Sequence, residues 1–587
     1  MNEPDTDKPD IVLSYAKQFK IVLPKISFTT VARVGMASGV TIVVMIAALL
    51  TGCAATDEPV DPGQSGEEAL IVADARAAAE AGEYRYAVDQ LMQALETTRD
   101  PAVARQAAQL ASAIDDWPAA TIASARWMAL APESQQAAQF ATIAALRQQR
   151  VGRAVELLRS RLVGQGKPMN WDSATALLAA AGSDDIASAA LERLIGQADG
   201  FEPGFGDYLR SRLAWQLEQP ERAFELAREA LSIKPDYQRA SWAAQLARSR
   251  AEPELALEYF RIAGEFDPGD RVAAIAEVEL LRELGRGEEA LDVLARLPQD
   301  AEILYTRGVV EQDLGRIAAA GATWQRMASL EPVEAGARHA WLTGVLAEIL
   351  EMGDEAIEWY ARVDGGLKQR ADLRRAILLA GRGDLPQARA LLAEVRRSPQ
   401  PEITEQAWLI EGQILAENGH GQQALELLSD ALTQLPGSSA LLYARAMAAV
   451  NQEQLALAEQ DLRTIIQGDP ENAVALNALG YTLSDRTDRQ REALRLIETA
   501  LALEPENPAI LDSMGWVLFK LGRAEEGLPY LRDAAEAEPH PEIVAHLIEV
   551  LWALDLRDEA NAWLARTRDD MAGDAVYDAT LQRIGLD

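Results

Sequence analysis

Few residues of this chain are of the types that carry out catalysis or bind metals. Its 587 residues include one cysteine, Cys53, and four histidines, His339, His420, His540 and His546. The histidines form no metal-ligand pattern such as H-E-x-x-H. Because His540 and His546 are six residues apart, they fall on different faces of a helix. We therefore predict no catalytic residues, no metal site and no cofactor, and we predict that the chain is not an enzyme.

Two glycine strings imitate the fingerprint of a dinucleotide-binding loop, G-x-G-x-x-A. They span 285–290 and 419–424. In a dinucleotide site such a string follows a β-strand and opens a helix, and neither stretch follows a strand pattern. We therefore predict that these glycines serve tight turns that need their permissive backbone angles.

The cysteine lies at the end of a predicted export signal. Residues 40–50 form an eleven-residue apolar run, which is too short for a transmembrane helix and suits a signal peptide. The run leads into Leu50–Cys53, which resembles a bacterial lipobox, and the resemblance implies a diacylglyceryl group on Cys53 and cleavage before it. We predict that 1–52 are a signal peptide. Residues 1–35 are long for its basic part, which is consistent with a start codon placed too far upstream. The alternative is an uncleaved anchor with an incidental thiol.

The residues after Cys53 indicate where the lipid would hold the chain. Residues 54–66 have the Pro, Gly, Ser and acidic bias of a disordered tether. At about 3.5 Å per residue, the segment 53–66 reaches at most roughly 45 Å. In lipoproteins of two-membrane bacteria, an Asp directly after the Cys favours retention in the inner membrane, and this chain has Ala54. The resemblance therefore implies a lipid-anchored protein of the outer membrane that faces the periplasm.

The rest of the chain is predicted to be a helical repeat. Alanine recurs in steps of 30 to 36 residues, close to the 34-residue helix–turn–helix period of tetratricopeptide repeats (TPR). The positions are Ala87, Ala120, Ala154, Ala187, Ala223, Ala256, Ala290, Ala320, Ala356, Ala388, Ala424, Ala458, Ala493 and Ala560, with Gly527 where alanine is expected. Eight prolines follow in phase, about twelve residues later, among them Pro436 and Pro470. Closely crossing helices need a small residue, and a proline ends a helix, so we predict that Ala424 and Ala458 are close-packing sites.

The repeat motif resembles that of the TPR family, W-x2-L-G-x2-Y…A-x3-F…P. The unit 408–436 carries Trp, Gly, Ala and Pro in that order, and the match is strong from about Ala301 to Ala565. We predict an all-α TPR solenoid, a right-handed superhelix of about fifteen repeats. Residues 67–300 are predicted to form divergent TPR-like repeats, and 301–587 well-matched repeats with a C-terminal capping helix. The alternative is another helical-hairpin solenoid.

The charge of the chain argues against nucleic acid as a partner. The chain carries 91 acidic and 56 basic side chains, a net charge of −35, whereas phosphates need a basic face. The stretch 368–397 is an exception, with eight basic and three acidic residues, a net of +5. It is either a solvated helix face with ion pairs inside the repeats or a dock for an acidic partner. Arg374 and Arg375 are its candidate partner-binding residues.

A second set of candidate partner-binding residues consists of Asn477, Tyr481, Asp512 and Trp516. Tyr481 and Trp516 directly follow the glycine position of a repeat's first helix, where the TPR family points side chains into a concave groove. Asn477 and Asp512 lie one helical turn before them. We predict that these four side chains face a ligand. The basic residues of a peptide-carboxylate clamp are missing at these positions, so a receptor for chaperone tails of that type is not expected.

One resemblance extends to function. The stretch 476–564 is similar to the C-terminal region of long proteobacterial outer-membrane TPR lipoproteins. LbcA-type members are adaptors of a periplasmic carboxyl-terminal processing protease and promote destruction of cell-wall hydrolases, and the shorter NlpI has an analogous role. The resemblance implies a scaffold with protein partners, a membrane anchor through Cys53, and neither nucleic acid nor a small-molecule substrate. The alternative is a lipoprotein scaffold for envelope assembly, secretion or polysaccharide machinery.

Overall fold

The computed structural model describes residues 66–162, 171–197, 201–267, 269–330 and 336–586. These ranges contain 31 α-helices and no strand. The predicted signal peptide, Cys53 and all of the predicted tether except Gly66 lie outside the described residues, so those predictions stay predictions.

The described residues form two compact units. The N-terminal unit is made of residues up to 299 together with 310–316, and the C-terminal unit of 300–309 together with the residues from 317 onward. Helix α15 (Ala301–Asp313) contributes residues to both units.

The helices of the N-terminal unit are α1 (Gly66–Glu80), α2 (Tyr84–Ala94), α3 (Pro101–Ala113), α4 (Trp117–Leu130), α5 (Gln135–Arg147), α6 (Val151–Leu162), α7 (Trp171–Ala179), α8 (Asp184–Gly196), α9 (Phe205–Gln216), α10 (Pro220–Ile233), α11 (Tyr237–Ser249), α12 (Pro253–Phe266), α13 (Arg271–Glu283) and α14 (Gly287–Ala295).

The helices of the C-terminal unit are α16 (Ile317–Ala328), α17 (Ala337–Ile349), α18 (Gly353–Tyr360), α19 (Lys368–Gly381), α20 (Leu385–Val395), α21 (Pro401–Glu417), α22 (Gly421–Gln434), α23 (Ser439–Asn451), α24 (Leu455–Gly468), α25 (Ala473–Arg486), α26 (Gln490–Leu503), α27 (Pro508–Lys520), α28 (Ala524–Ala537), α29 (Pro541–Ala553), α30 (Arg557–Met571) and α31 (Ala575–Ile584).

A left-handed backbone residue closes the turn inside almost every helix pair. It is a glycine in some repeats, such as Gly285 and Gly419, and another residue in others, such as Ala251 and Glu453. In each of these four cases it precedes the repeat alanine by five residues. The first glycine of each predicted string is therefore a turn residue, as predicted, whereas the second glycine, Gly287 or Gly421, begins the following helix without a positive φ. The repeat α25–α26 has an extended residue, Thr487, at its turn instead.

The repeat alanines lie where the two helices of a pair cross. All of them, including Ala424 and Ala458, are between 0% and 1% exposed. Gly527, at the alanine position of its repeat, shows how close the crossing is, because a Cβ placed there would lie 2.6 Å from the backbone oxygen of Gly515. The prediction that these positions are close-packing sites is confirmed.

Prolines and polar caps set the helix ends that space the repeats. Pro436 and Pro470 stand two residues beyond the last residue of α22 and α24, as expected for a residue that cannot continue a helix. At the start of α25, the side-chain oxygen of Asn472 accepts a hydrogen bond from the backbone N–H of Ala475 at 3.0 Å. At the start of α27, the side-chain oxygen of Asn507 accepts one from the backbone N–H of the second residue of that helix at 3.1 Å. Each helix pair therefore ends at a defined residue, and the next pair begins at a defined residue.

First helices of successive repeats also touch one another in the C-terminal unit. Helix α19 contacts α21, α21 contacts α23, α25 contacts α27, and α27 contacts α29. Residues on these helices are therefore brought together although they stand about 34 positions apart. The last helix, α31, packs against α29, and its Tyr577 is fully buried.

Candidate partner-binding sites in the C-terminal unit

One position of the first helix recurs along α25, α27 and α29 and carries a polar residue each time. It holds Asn477, Asp512 and His546, which are 35 and 34 residues apart. Repeat spacing and the contacts between these helices place the three side chains in one row. His546 was not among the residues predicted to bind a partner, although adding one repeat to Asp512 would have found it.

His546 and Asp512 form a buried ion pair. Nδ1 of His546 lies 2.9 and 3.0 Å from the two carboxylate oxygens of Asp512. Because an ionised carboxylate only accepts, Nδ1 carries the proton. Burial by itself lowers the pKa of His546, but the charge and hydrogen bond of Asp512, with Glu542 and Asp485 nearby, raise it above the ordinary value of 6.5. The pair is therefore charged over a wider pH range than a free histidine.

Aromatic rings enclose this pair. The ring of Trp516 is stacked on His546, with centroids 3.9 Å apart and an angle of 16° between the planes. The ring centroids of Tyr481 and His546 lie 6.1 Å apart, and the Tyr481 hydroxyl donates a hydrogen bond to Glu542 at 2.6 Å. The Trp516 indole donates to Asp485 at 3.3 Å. Glu542, another residue that the sequence did not single out, is thus part of the same cluster.

The four residues predicted to face a ligand are interior residues in this structure. Asn477 and Trp516 are 4% exposed, Asp512 1% and Tyr481 8%. They are buried because large rings from adjacent first helices fill the space between them. Asn477 Oδ1 is buried without a hydrogen-bond partner among the described residues. A direct role of the four in partner binding stays a prediction.

An open cavity of about 330 Å³ lies on the face of α21, α23 and α25. Its apolar lining includes Leu409, Tyr443 and Met447. Leu409, Tyr443 and Asn477 are successive occupants of the same repeat position, 34 residues apart. The space around this repeat position is therefore open at α21 and α23. From α25 to α29, aromatic rings of the chain itself fill the corresponding space.

The polar part of the cavity lining is almost uncharged. Gln413, Asn451 and Asn472 contribute amides, and Glu417 is the one charged residue among the described residues that line the cavity. Burial raises the pKa of the Tyr443 phenol, so this group stays neutral at physiological pH. The cavity therefore offers an apolar surface with amides, the Ser439 hydroxyl and a single carboxylate.

The basic stretch 368–397 is largely engaged in ion pairs inside the chain. Arg374 contacts Glu348 at 3.2 Å, and Arg389 and Arg396 both contact the buried carboxylate of Glu411, the former at 2.9 Å. Arg375 forms no ion pair within the described part of the chain, and its Nε is buried without a hydrogen-bond partner there. The ion pairs of Arg374, Arg389 and Arg396 join successive repeats, whereas Lys368–Asp372 and Arg397–Glu394, each at 2.7 Å, lie inside a repeat as one of the two alternatives predicts. Partner binding by Arg374 and Arg375 stays a prediction.

Within the described ranges, no group of three or more His, Cys, Asp or Glu side chains is arranged to hold a metal ion. None of the helices in those ranges is both long and apolar enough to cross a membrane.

The helix pairs, their 34-residue period and the small residues at their crossings define an all-α protein with the TPR fold. TPR proteins mediate protein–protein interaction. No protein-family model matches the chain. The chain is 42% identical over 207 residues to the TPR repeat-containing protein PA4667 of Pseudomonas aeruginosa. The match covers 35% of each protein, so the chain spans about a third of the length of this relative.

Solved structures with a similar arrangement include other TPR proteins. Yeast Tom70 is 12% identical, with 88% of this chain and 95% of that chain covered and a TM-score of 0.33. A chain of the APC/C hetero-tetramer Cut9–Hcn1 is 14% identical, with 88% and 99% covered and a TM-score of 0.30. The thermophilic TPR protein TTC0263 of Thermus thermophilus is 24% identical over 31% of this chain and 99% of that chain, with a TM-score of 0.29. At these low TM-scores, the fold assignment rests on the chain's own repeats and on the Pseudomonas relative.

Proposed function

We propose that this chain is a protein-binding scaffold whose cavity on α21, α23 and α25 receives part of a partner. The observation that carries this proposal is the open apolar lining around Leu409, Tyr443 and Met447. In the neighbouring repeats, the same helix position is filled by the chain's own rings. An apolar concavity with a few polar groups is the usual form of a binding site.

We propose further that the scaffold is an adaptor in the periplasm, held to the outer membrane by lipid on Cys53. It would present substrates such as cell-wall hydrolases to a carboxyl-terminal processing protease. The lipobox-like Leu50–Cys53 and the similarity of 476–564 to adaptor lipoproteins support this finer proposal. Holding enzyme and substrate on one chain raises their effective concentration and can increase engagement by roughly 10²–10⁴ without new chemistry.

A proteolysis assay with a cavity-filling variant tests the adaptor proposal. Ala440 is exposed and lines the cavity, so Ala440→Trp would fill it without disturbing the buried core. Ala456→Trp is the matched control, since Ala456 is exposed on α24 and is not part of the lining. We expect the natural chain and Ala456→Trp to accelerate cleavage of a cell-wall hydrolase by the processing protease, and Ala440→Trp to accelerate it less. Cleavage rates that are unchanged by adding the natural chain would contradict the adaptor role.

The alternative function is a scaffold for envelope assembly, secretion or polysaccharide machinery. The same cavity and the same lipobox resemblance support it. Affinity purification of the lipidated protein from envelopes, followed by mass spectrometry, separates the two proposals. Recovery of a processing protease favours the adaptor, and recovery of assembly-machine subunits without a protease favours the alternative.

A further inference from the structure

We infer that the cavity on α21, α23 and α25 receives a large apolar side chain from an internal segment of a partner protein, and that lysine or arginine flanks this side chain. The inference rests on the proposed scaffold function and adds the chemistry of the segment that is bound. Three properties of the cavity and its surroundings lead to it.

The first property is the apolar lining. Leu409, Tyr443, Met447 and Val474 come from three different helices and surround the same space. Moving an aliphatic or aromatic side chain from water into such a space is favourable in proportion to the apolar area covered. A polar side chain would lose its hydration and find few polar partners there, namely amides, the Ser439 hydroxyl and the Glu417 carboxylate.

The second property is the charge of the repeats that build the cavity. Residues 401–480 carry 11 acidic and 2 basic side chains, a net charge of −9. Both basic side chains are occupied, because Arg445 is paired with Asp461 at 2.7 Å and Arg463 with Glu459 at 2.7 Å. The surroundings therefore attract lysine and arginine and repel acidic segments.

The third property is the missing cation in the lining. Strong recognition of a chain-terminal carboxylate uses positively charged side chains directed at it, because charge-assisted hydrogen bonds are stronger than those from neutral amides. Among the described residues, the cavity is lined by no lysine or arginine, and its charged group is the Glu417 carboxylate. An internal segment therefore fits better than a free C-terminus. A second copy of this chain is also disfavoured, because each copy carries a net charge of −35.

Fluorescence anisotropy with the full chain and short labelled peptides tests the inference. The reference peptide has one Leu or Phe between lysines and an amidated C-terminus. Three matched peptides replace the apolar residue with Ser, the lysines with glutamates, or the amide with a free carboxylate. We expect each of the first two changes to weaken binding at least tenfold, and the free carboxylate to give no gain. We also expect added salt to weaken binding of the reference peptide.

Variants of the chain locate the binding. Ala440→Trp should abolish binding of the reference peptide, whereas Ala456→Trp should leave it unchanged. Glu417→Gln should weaken binding several-fold, and the exposed Glu426→Gln on α22, outside the cavity, should not. Equal binding of the glutamate peptide would overturn the inference. So would binding that survives Ala440→Trp, or self-association of the chain that Ala440→Trp removes.

Failure of this inference about the cavity can be distinguished from failure of the adaptor proposal. If the reference peptide binds as expected but the chain does not accelerate proteolysis, the inference about the cavity stands and the adaptor role fails. If the chain accelerates proteolysis and Ala440→Trp has no effect on either proteolysis or peptide binding, the inference fails and the adaptor role stands.

Discussion

At the scale of single residues, the cluster around His546 combines a buried charge pair with stacked rings. Asp512 is the partner that raises the pKa of His546, and Trp516 covers the imidazole. Glu542 and Asp485 add negative charge, and Lys520 adds positive charge 4.7 Å from the Trp516 ring. Loss of one member of such a buried pair leaves the other without compensation.

The first prediction concerns the pH dependence of this cluster. The pKa of His546 is raised in the folded protein. The contribution of this histidine to stability is therefore complete below about pH 6.5 and is lost as the pH rises through the raised pKa. Hydrogen exchange, corrected for intrinsic rates, should therefore show declining protection of α27 and α29 above about pH 6.5. Asp512→Asn should reduce the free energy of local opening by about 3–5 kcal/mol at pH 6 and should flatten the pH dependence.

His420→Asn serves as the control for this experiment. His420 is exposed at the start of α22, so its replacement should leave the profile of α27 and α29 unchanged. If Asp512→Asn keeps the natural pH profile, the pair does not set the stability of these helices.

At the scale of helices, each repeat depends on a crossing and a turn. The crossing requires a residue with almost no side chain, and in almost every helix pair the turn takes a left-handed backbone conformation, with the extended Thr487 as the exception. Both recur at fixed positions, which is why one sequence period describes both. Since each repeat packs mainly on its neighbours, a local defect is expected to spread to the adjacent pair.

The second prediction tests the crossing. Ala458→Phe places a ring where the helices α23 and α24 meet, and overpacking should destabilise the protein by about 1–3 kcal/mol. Ala456→Phe, two residues earlier on the same helix, places the ring in solvent and should change stability by less than about 0.5 kcal/mol. Urea denaturation followed by circular dichroism measures both. Equal stability of the two variants would show that the repeat phase is misassigned.

The third prediction tests the turn. Ala251 has a φ of 57°, a conformation that costs an L-residue roughly 1–2 kcal/mol. Ala251→Gly removes this strain, but glycine loses more backbone entropy on folding than alanine does. The net effect should be a rise of about 0.5–1 kcal/mol in the free energy of unfolding. Ala77→Gly, at an exposed position inside α1, should instead lower stability by about 1 kcal/mol. Thermal melts in which both changes destabilise equally would contradict the role assigned to the turn.

At the scale of the whole molecule, the proposed function depends on how the scaffold is anchored as well as on its cavity. Strongly negative net charge keeps the chain away from anionic membrane surfaces, so the proposed attachment depends on lipid at Cys53. One acyl anchor binds membranes only marginally, and stable attachment requires more than one chain. A diacylglyceryl group supplies two.

The fourth prediction concerns this anchor. Cys53→Ser should leave an unprocessed or mislocalised protein, because no thiol remains to take the diacylglyceryl group. Fractionation of cells followed by mass spectrometry of the N-terminus measures both effects. A natural mature protein whose unmodified N-terminus lies upstream of residue 53 would exclude lipidation.

The sequence by itself determined the repeat fold, because the 34-residue period of Ala424, Ala458 and their equivalents is a direct record of where helices cross. It also located two turns, since Gly285 and Gly419 each stand five residues before a repeat alanine. Repeat phase likewise identified Asn477, Tyr481, Asp512 and Trp516 as residues of one face.

Only the tertiary structure decided which part of that face is open. Sequence period gives the direction in which a side chain points but not the volume of its neighbours. Tyr481, Trp516 and His546 meet across three helices and fill the space between them, whereas Leu409 and Tyr443 leave a cavity. Whether a face is closed or open depends on packing between residues that stand 34 or more positions apart, and that packing is fixed only when the repeats stack.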